Sequence, residues 1–172
     1  MMRSVIITAQ GFQDEEYIYP FYRLAEAGFH VDVATKDDAP AKGKYGLTAK
    51  PSITMNQLDA ARFDLVVLPG GHEAPDRVRQ IPEVLSFVRA MNDSKKIISS
   101  ICPGPWIMIS ARIVRGRKLT AYAAIRDDLE NAGAIYVDAP VVVDGNFVTS
   151  PHYNNNGDWM RATLNLCGVL QI

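Results

Sequence analysis

Ile97–Ser110 reads IISSICPGPWIMIS. A short apolar run ends at a cysteine, the turn formers Pro103, Gly104 and Pro105 follow at once, and a second apolar run begins. The first run has the length of a buried strand. The second, extended to Val114, has the length and spacing of a helix. Strand, sharp turn and helix together are the unit of an α/β protein with a parallel sheet. Cys102 falls where the strand hands over to the helix. Backbone N–H groups freed at that point favour an anion, and for a thiol this predicts a lowered pKa and a larger thiolate fraction. A small apolar residue closing a strand would suit the same place, so the turn alone leaves both readings of Cys102 open. Cys167, near Leu164 and Leu166 in the last helical pattern, reads as core packing.

Outward from this turn the same alternation repeats. Strands are predicted over Ser4–Ala9, His30–Thr35, Phe63–Gly71 and Lys96–Ile101. Helices are predicted over Asp14–Gly28, which stops at a glycine, over Pro82–Ser94, which starts at a proline, and over Pro103–Val114. Ala41–Leu58 is turn-rich and predicts a hairpin. Lys118–Tyr122 predicts a strand, Ile125–Gly133 a helix, and Pro140–Ser150 two strands around the Asp144-Gly145 turn, after a short run at Ile135–Asp138. Gly157–Leu170 predicts a final helix. Such a pattern implies a mainly parallel sheet covered on both faces by right-handed crossovers. Sites in these sheets form where strand carboxyl ends meet helix amino ends. Gly70-Gly71-His72, Cys102-Pro103-Gly104 and Ser150-Pro151-His152 all lie at such ends, and Glu15 and Glu16 open the first helix near the same edge.

The 172 residues suffice for one well-filled domain, taken here as 1–172. A net charge of −1 gives no general attraction to nucleic acid or to an anionic membrane. No apolar run approaches the length of a membrane span, and the amino terminus reads as a first strand, with no secretory signal. The cysteines stand in unrelated contexts, so a disulfide framework and a zinc site are not expected. A reducing cytoplasm is the expected location, and neither metal nor cofactor is expected.

The segments GFQDEEYIYPFYRL, DLVVLPGG, APDRVR, SSICPGPWIMISA, RGRKLTAY, IRDDLENAGA and VVVDGNFVTS occur in order along nearly the whole chain. As an ordered set they resemble the DJ-1/PfpI superfamily, closest to its PfpI-like branch. The resemblance implies a flavodoxin-like three-layer α/β sandwich, of the class I glutamine amidotransferase-like kind, and a homodimer or larger homo-oligomer. The activities it implies include peptidase, glyoxalase or glycation-repair, and isonitrile-hydrating chemistry, or redox-linked protection.

Carried over residue by residue, the resemblance makes Cys102 the reactive cysteine and Glu16 the acid that hydrogen-bonds to it. That carboxyl is expected to stay protonated, since two negative charges in contact disfavour each other. Gly70 and Gly71 match the glycine pair whose backbone approaches the cysteine, and Tyr122 matches a pocket-lining tyrosine. Glu15 is a second candidate beside the substrate. Both glutamates would also suit a first helical turn on dipole grounds alone, the glycines a plain tight turn, and the tyrosine a half-buried strand. Asp76 matches an acid that reaches a neighbouring subunit's site and orients a histidine there, although GGHEAPD is one residue longer than that pattern; a surface role suits it equally.

One position departs from the pattern. PfpI-like peptidases carry a histidine after the cysteine, and this chain has Pro103. Proline brings neither an imidazole to activate the thiol nor a backbone N–H to hold an oxyanion. Loss of one such donor typically costs about 10²–10³ in rate. A residue before proline is steered toward extended geometry, whereas an elbow requires positive φ, so a reshaped turn is expected. Pro103 would also suit the first position of a helix. His72 and His152 are the candidates to handle protons in place of the missing imidazole, and the polar run Pro151–Trp159 suits a pocket rim. These readings point to an enzyme acting through Cys102 on a small polar carbonyl or related electrophile, as hydrolase, lyase or hydratase. The alternatives are a non-enzymatic redox-sensing or stress-protective protein that uses Cys102, or a degenerate peptidase homologue.

Overall fold

The computed structural model describes residues 1–169. In chain order the elements are β1 (Arg3–Ile7), α1 (Asp14–Glu26), β2 (His30–Thr35), β3 (Ala41–Lys42), β4 (Thr48–Ala49), β5 (Ile53–Thr54), β6 (Leu65–Leu68), α2 (Ala74–Val78), α3 (Pro82–Asp93) and β7 (Ile97–Ile101). Then follow α4 (Pro105–Ser110), β8 (Lys118–Leu119), α5 (Arg126–Asn131), β9 (Ile135–Tyr136), β10 (Val142–Asp144), β11 (Phe147–Ser150) and α6 (Asn156–Leu166). The main sheet has the order β10-β11-β7-β6-β1-β2-β5. All its pairings are parallel except β10 with β11, which meet antiparallel around the predicted Asp-Gly turn.

The central strands are buried on both sides. All four residues of β6, LVVL, are inaccessible, and each such side chain stabilises the fold by about 1.5–3 kcal/mol. Both faces therefore need cover. From β1 the chain moves outward to β2, and from β6 it moves the other way to β7. Right-handed crossovers place α1 and α3 on opposite faces as a result. α1 packs with α6 on one side, and α3 packs with α4, which also contacts α2 and α5, on the other. This is the flavodoxin-like three-layer sandwich that the resemblance implied.

Several boundaries differ from expectation. The first strand stops at Ile7, and the third long strand runs only from Leu65 to Leu68, because their glycine- and polar-rich ends curve into the edge loops. The segment 41–58 does contain a hairpin, β3–β4, but its last part, β5, leaves the hairpin to pair with β2. The helix after Cys102 begins at Pro105, so the proline at the first helical position is Pro105 and Pro103 belongs to the turn. Strand Lys118–Tyr122 shrinks to β8, which pairs with β9 in a separate ribbon; Tyr122 lies in the loop beyond it. The last helix is described to Leu166, and its predicted end at Leu170 lies outside the described residues.

Candidate active site

The carboxyl ends of β6, β7 and β11 converge with the amino end of α1. Cys102 leaves β7 at φ +59°, a conformation that costs a non-glycine residue about 1–2 kcal/mol. Its N–H donates to the Ser150 carbonyl at 2.9 Å and its carbonyl accepts from the Tyr122 N–H at 3.1 Å. Those two bonds clamp the cysteine between β11 and the loop after β8. The elbow thus survives Pro103, against the expectation of a reshaped, extended turn. The clash of a proline ring is directed at the right-handed helical region of the preceding residue, which Cys102 does not occupy.

Glu16 lies on the first turns of α1 and is fully buried. Its Oε2 accepts the Gly70 N–H at 2.7 Å. Its Oε1 has no hydrogen-bond partner among the described residues, and the carboxyl lies beside the Cys102 thiol, which favours its charged form. Burial, only partly offset by those two groups, pushes the Glu16 pKa up to about 8. At neutral pH the carboxyl is therefore protonated, as expected, but the cause is burial and not a facing thiolate. Pro20, four residues on, has no N–H to return to the Glu16 carbonyl, so the helix is unpinned where the carboxyl turns inward.

Gly70 has room for no side chain. A Cβ there would stand 2.6 Å from Glu16 Oε2, 2.7 Å from Cys102 Cβ and 2.8 Å from Pro103 Cδ. Gly71, at φ +126°, would meet the backbone of Gly11, Phe12 and Gln13 within 2.6 Å. Gly104 is equally hemmed in, with the Leu68 carbonyl 2.4 Å from its Cβ position. These glycines bring β6, α1 and the elbow into contact.

The thiol does not have the lowered pKa expected of a strand-to-helix turn. Burial first, and the adjacent Glu16 second, push it well above the ordinary thiol value; the Gly71 N–H and the Lys44 charge only partly oppose them. The turn supplies little to oppose them. Pro103 has no N–H, the Gly104 N–H is spent on the Ile101 carbonyl at 2.9 Å, and α4 is only six residues long. The Gly71 N–H is the backbone donor left to the sulfur. Cys167 is also raised, to about 12, chiefly by burial, and packs against the core as its sequence context suggested.

A pocket of about 530 Å³ opens over Cys102. Of the sequence candidates, Gly71, His72, Pro103, Tyr122 and His152 line it. His152 Nδ1 accepts the Asn154 N–H at 3.1 Å, so the neutral ring carries its proton on Nε2. Its ring lies 4.0 Å from that of Tyr153, centroid to centroid. His72 is half exposed, with Nε2 3.4 Å from the Glu73 carboxylate. Glu15 is not among the lining residues. It accepts at 2.7 Å from the side-chain amide of Gln13, which is one of them, and so acts on the pocket through that amide. Asp76 is exposed on α2 and does not line the pocket of its own chain. Of the polar run Pro151–Trp159, only His152 and Tyr153 line the pocket; the Asn156 amide instead donates to the Glu15 carbonyl at 3.1 Å and ties α6 to α1.

Sequence reasoning missed Gln13, Lys44, Tyr45, Trp106, Ala124 and Ile125 as lining residues, whereas Tyr153 falls in the polar run expected at the rim. For Lys44 and Tyr45 a signal existed. They stand between two glycines in GKYG, the tip of the hairpin β3–β4. Nothing local distinguishes the others.

Fold and site together define a flavodoxin-like α/β protein with a half-buried cysteine on an elbow beside a fully buried carboxyl. The chain belongs to the DJ-1/PfpI family, whose pattern matches residues 2–166. It is 44% identical over 165 residues to Deglycase PH1704 of Pyrococcus horikoshii, covering 96% of this chain and 99% of that one. It is 37% identical to Protein/nucleic acid deglycase 2 of Escherichia coli, covering 96% and 97%. Among solved structures it is similar to the two-domain protein of Anabaena variabilis with DJ-1/ThiJ/PfpI-like and ferritin-like domains. That match has a TM-score of 0.94 at 35% identity and covers 98% of this chain and 48% of the other. Drosophila melanogaster DJ-1beta superposes with a TM-score of 0.90 at 27% identity, covering 97% and 91%. No helix among the described residues is long and apolar enough to cross a membrane.

Proposed function

We propose that the protein is a cysteine-dependent enzyme that acts on small polar carbonyl compounds or the adducts they form, a reading in keeping with relatives named deglycases. The observation that carries this reading is the Cys102 thiol held on an elbow against a protonated, fully buried Glu16, beneath an open pocket. Addition to a carbonyl needs a nucleophile and a proton for the oxygen. The Cys102 sulfur forms a bond to the carbonyl carbon, the carbon–oxygen π bond breaks toward oxygen, and the thiol proton is passed through Glu16 to that oxygen. The product is a neutral thiohemiacetal, and no net charge is created in the buried site. The Gly71 N–H and the His152 Nε2–H are the donors for the developing oxyanion, in place of the amide lost at Pro103. His72, at the rim, is the second proton carrier.

The substrate is a small molecule, and the setting is a homodimer or larger homo-oligomer in a reducing, cytoplasmic compartment. In that assembly the exposed Asp76 would approach a neighbouring subunit's pocket. A redox-sensing role is less well supported, because burial keeps the thiol protonated and a protonated thiol reacts slowly with peroxide. Peptidase action lacks the neighbouring imidazole.

Cys102→Ser should abolish turnover of methylglyoxal and release of its thiol and amine adducts, while leaving the fold intact by circular dichroism. Rates equal to those of the native enzyme would rule out covalent catalysis.

A further inference from the structure

The pocket over Cys102 is lined mainly by aromatic and apolar groups, Tyr45, Trp106, Tyr122, Ile125 and Tyr153 among them. No carboxylate lines it, and Lys44 is its one permanent charge. Lys44 has no ion-pair partner among the described residues. Its ammonium lies 5.3 Å from the Tyr45 ring centroid, an arrangement that keeps a cation at an aromatic rim.

The loop that carries Lys44 is held in place from below. Asp14, at the start of α1, accepts the Tyr45 N–H at 2.9 Å and the Leu47 N–H at 2.8 Å through its two carboxylate oxygens. The Lys44 N–H itself donates to the Phe12 carbonyl at 2.8 Å. Gly43 makes the close approach possible, since a Cβ there would stand 2.5 Å from Asp14 Oδ2. A backbone this tightly tied is more than an exposed hairpin tip requires, and its effect is to hold an unpaired cation at the mouth of a pocket whose floor is the thiol.

We propose that Lys44 is an anion-anchoring residue that selects substrates carrying a carboxylate next to the reacting carbon, such as small 2-oxoacids and the adducts they form. One permanent cation in a lining that holds no carboxylate matches a monoanion. A phosphate dianion would leave one of its charges without a cation in the lining. This inference deepens the carbonyl-directed reading above, but its test does not depend on turnover.

The test is the rate of Cys102 alkylation by iodoacetate relative to iodoacetamide at pH 7.5, followed by peptide mass spectrometry to separate Cys102 from Cys167. The two reagents share geometry and leaving group, and both rates scale with the thiolate fraction. Their ratio therefore isolates attraction of the carboxylate. Lys44→Met should lower the ratio about tenfold, the order expected for losing a charge-assisted contact at a partly desolvated site, and Lys44→Arg should keep it within about twofold. An equal ratio in the native and Lys44→Met proteins, or alkylation of native Cys102 by iodoacetamide but not by iodoacetate, overturns the proposal. If the ratio falls as expected while Cys102→Ser still turns over methylglyoxal, the anion subsite stands and the covalent reading alone is lost.

Discussion

At the residue scale the decisive pair is Glu16 and Cys102. Both are held in their neutral forms chiefly by burial; Glu16 pushes the thiol further up, whereas the hydrogen bonds from Gly70 and Cys102 only partly offset the burial of Glu16. For Glu16 this has a consequence for stability. Its folded pKa, about 8, lies above its unfolded value, so between those values the folded state binds a proton that the unfolded chain has released. Stability is full below the ordinary carboxyl range and falls as pH rises toward 8. One proton of difference corresponds to about 1.4 kcal/mol per pH unit. Urea denaturation of the native protein should show a loss approaching that size for each pH unit between pH 5 and 8, and Glu16→Gln should flatten the slope. The same substitution removes the proton relay, so turnover should fall even at pH 5. Glu16 was legible in the sequence through its spacing from Pro20 and its family match. The raised thiol was not legible, because it depends first on burial and then on the carboxyl and N–H groups that reach the sulfur, and these are properties of the folded site.

At the element scale, a helix start and a hairpin tip act as one unit. Asp14 is almost fully buried at the first position of α1, where its side chain bridges the loop between β3 and β4. Asp14→Ala leaves two backbone N–H groups without their acceptor, a loss of about 1–3 kcal/mol. Hydrogen exchange at Tyr45 and Leu47 should accelerate strongly in that variant, while the amides of β1 and β6 keep their protection if the fold is retained. From the sequence, Asp14 is one of three acidic residues opening a helix, and a dipole argument explains all three equally well. Tertiary contacts separate them: Asp14 clamps a loop, Glu15 orients the Gln13 amide, and Glu16 faces the thiol. The hairpin itself was foreseen within 41–58, but β5 was not separated from it, because a two-residue strand carries too little periodicity to be read.

At the scale of the whole molecule, one contiguous core underlies both helical layers. Trp159, the largest fully inaccessible side chain, is supplied by α6. Trp159→Ala should cost about 3–5 kcal/mol, read as a lower urea midpoint by both circular dichroism and Cys102 alkylation if sheet and site unfold together. The amino-acid sequence by itself determined the alternation of strands and helices, the parallel sheet, and the three strand ends at which chemistry gathers. Apolar period, glycine and proline are local signals, and right-handed crossover leaves little freedom once they are read. Only the tertiary structure decided that the elbow tolerates Pro103, that the thiol is neutral, and that Lys44 reaches a pocket whose floor lies 58 residues further along the chain. Those outcomes depend on burial and on which backbone groups meet across the sheet edge, and neither is encoded in any single stretch of chain.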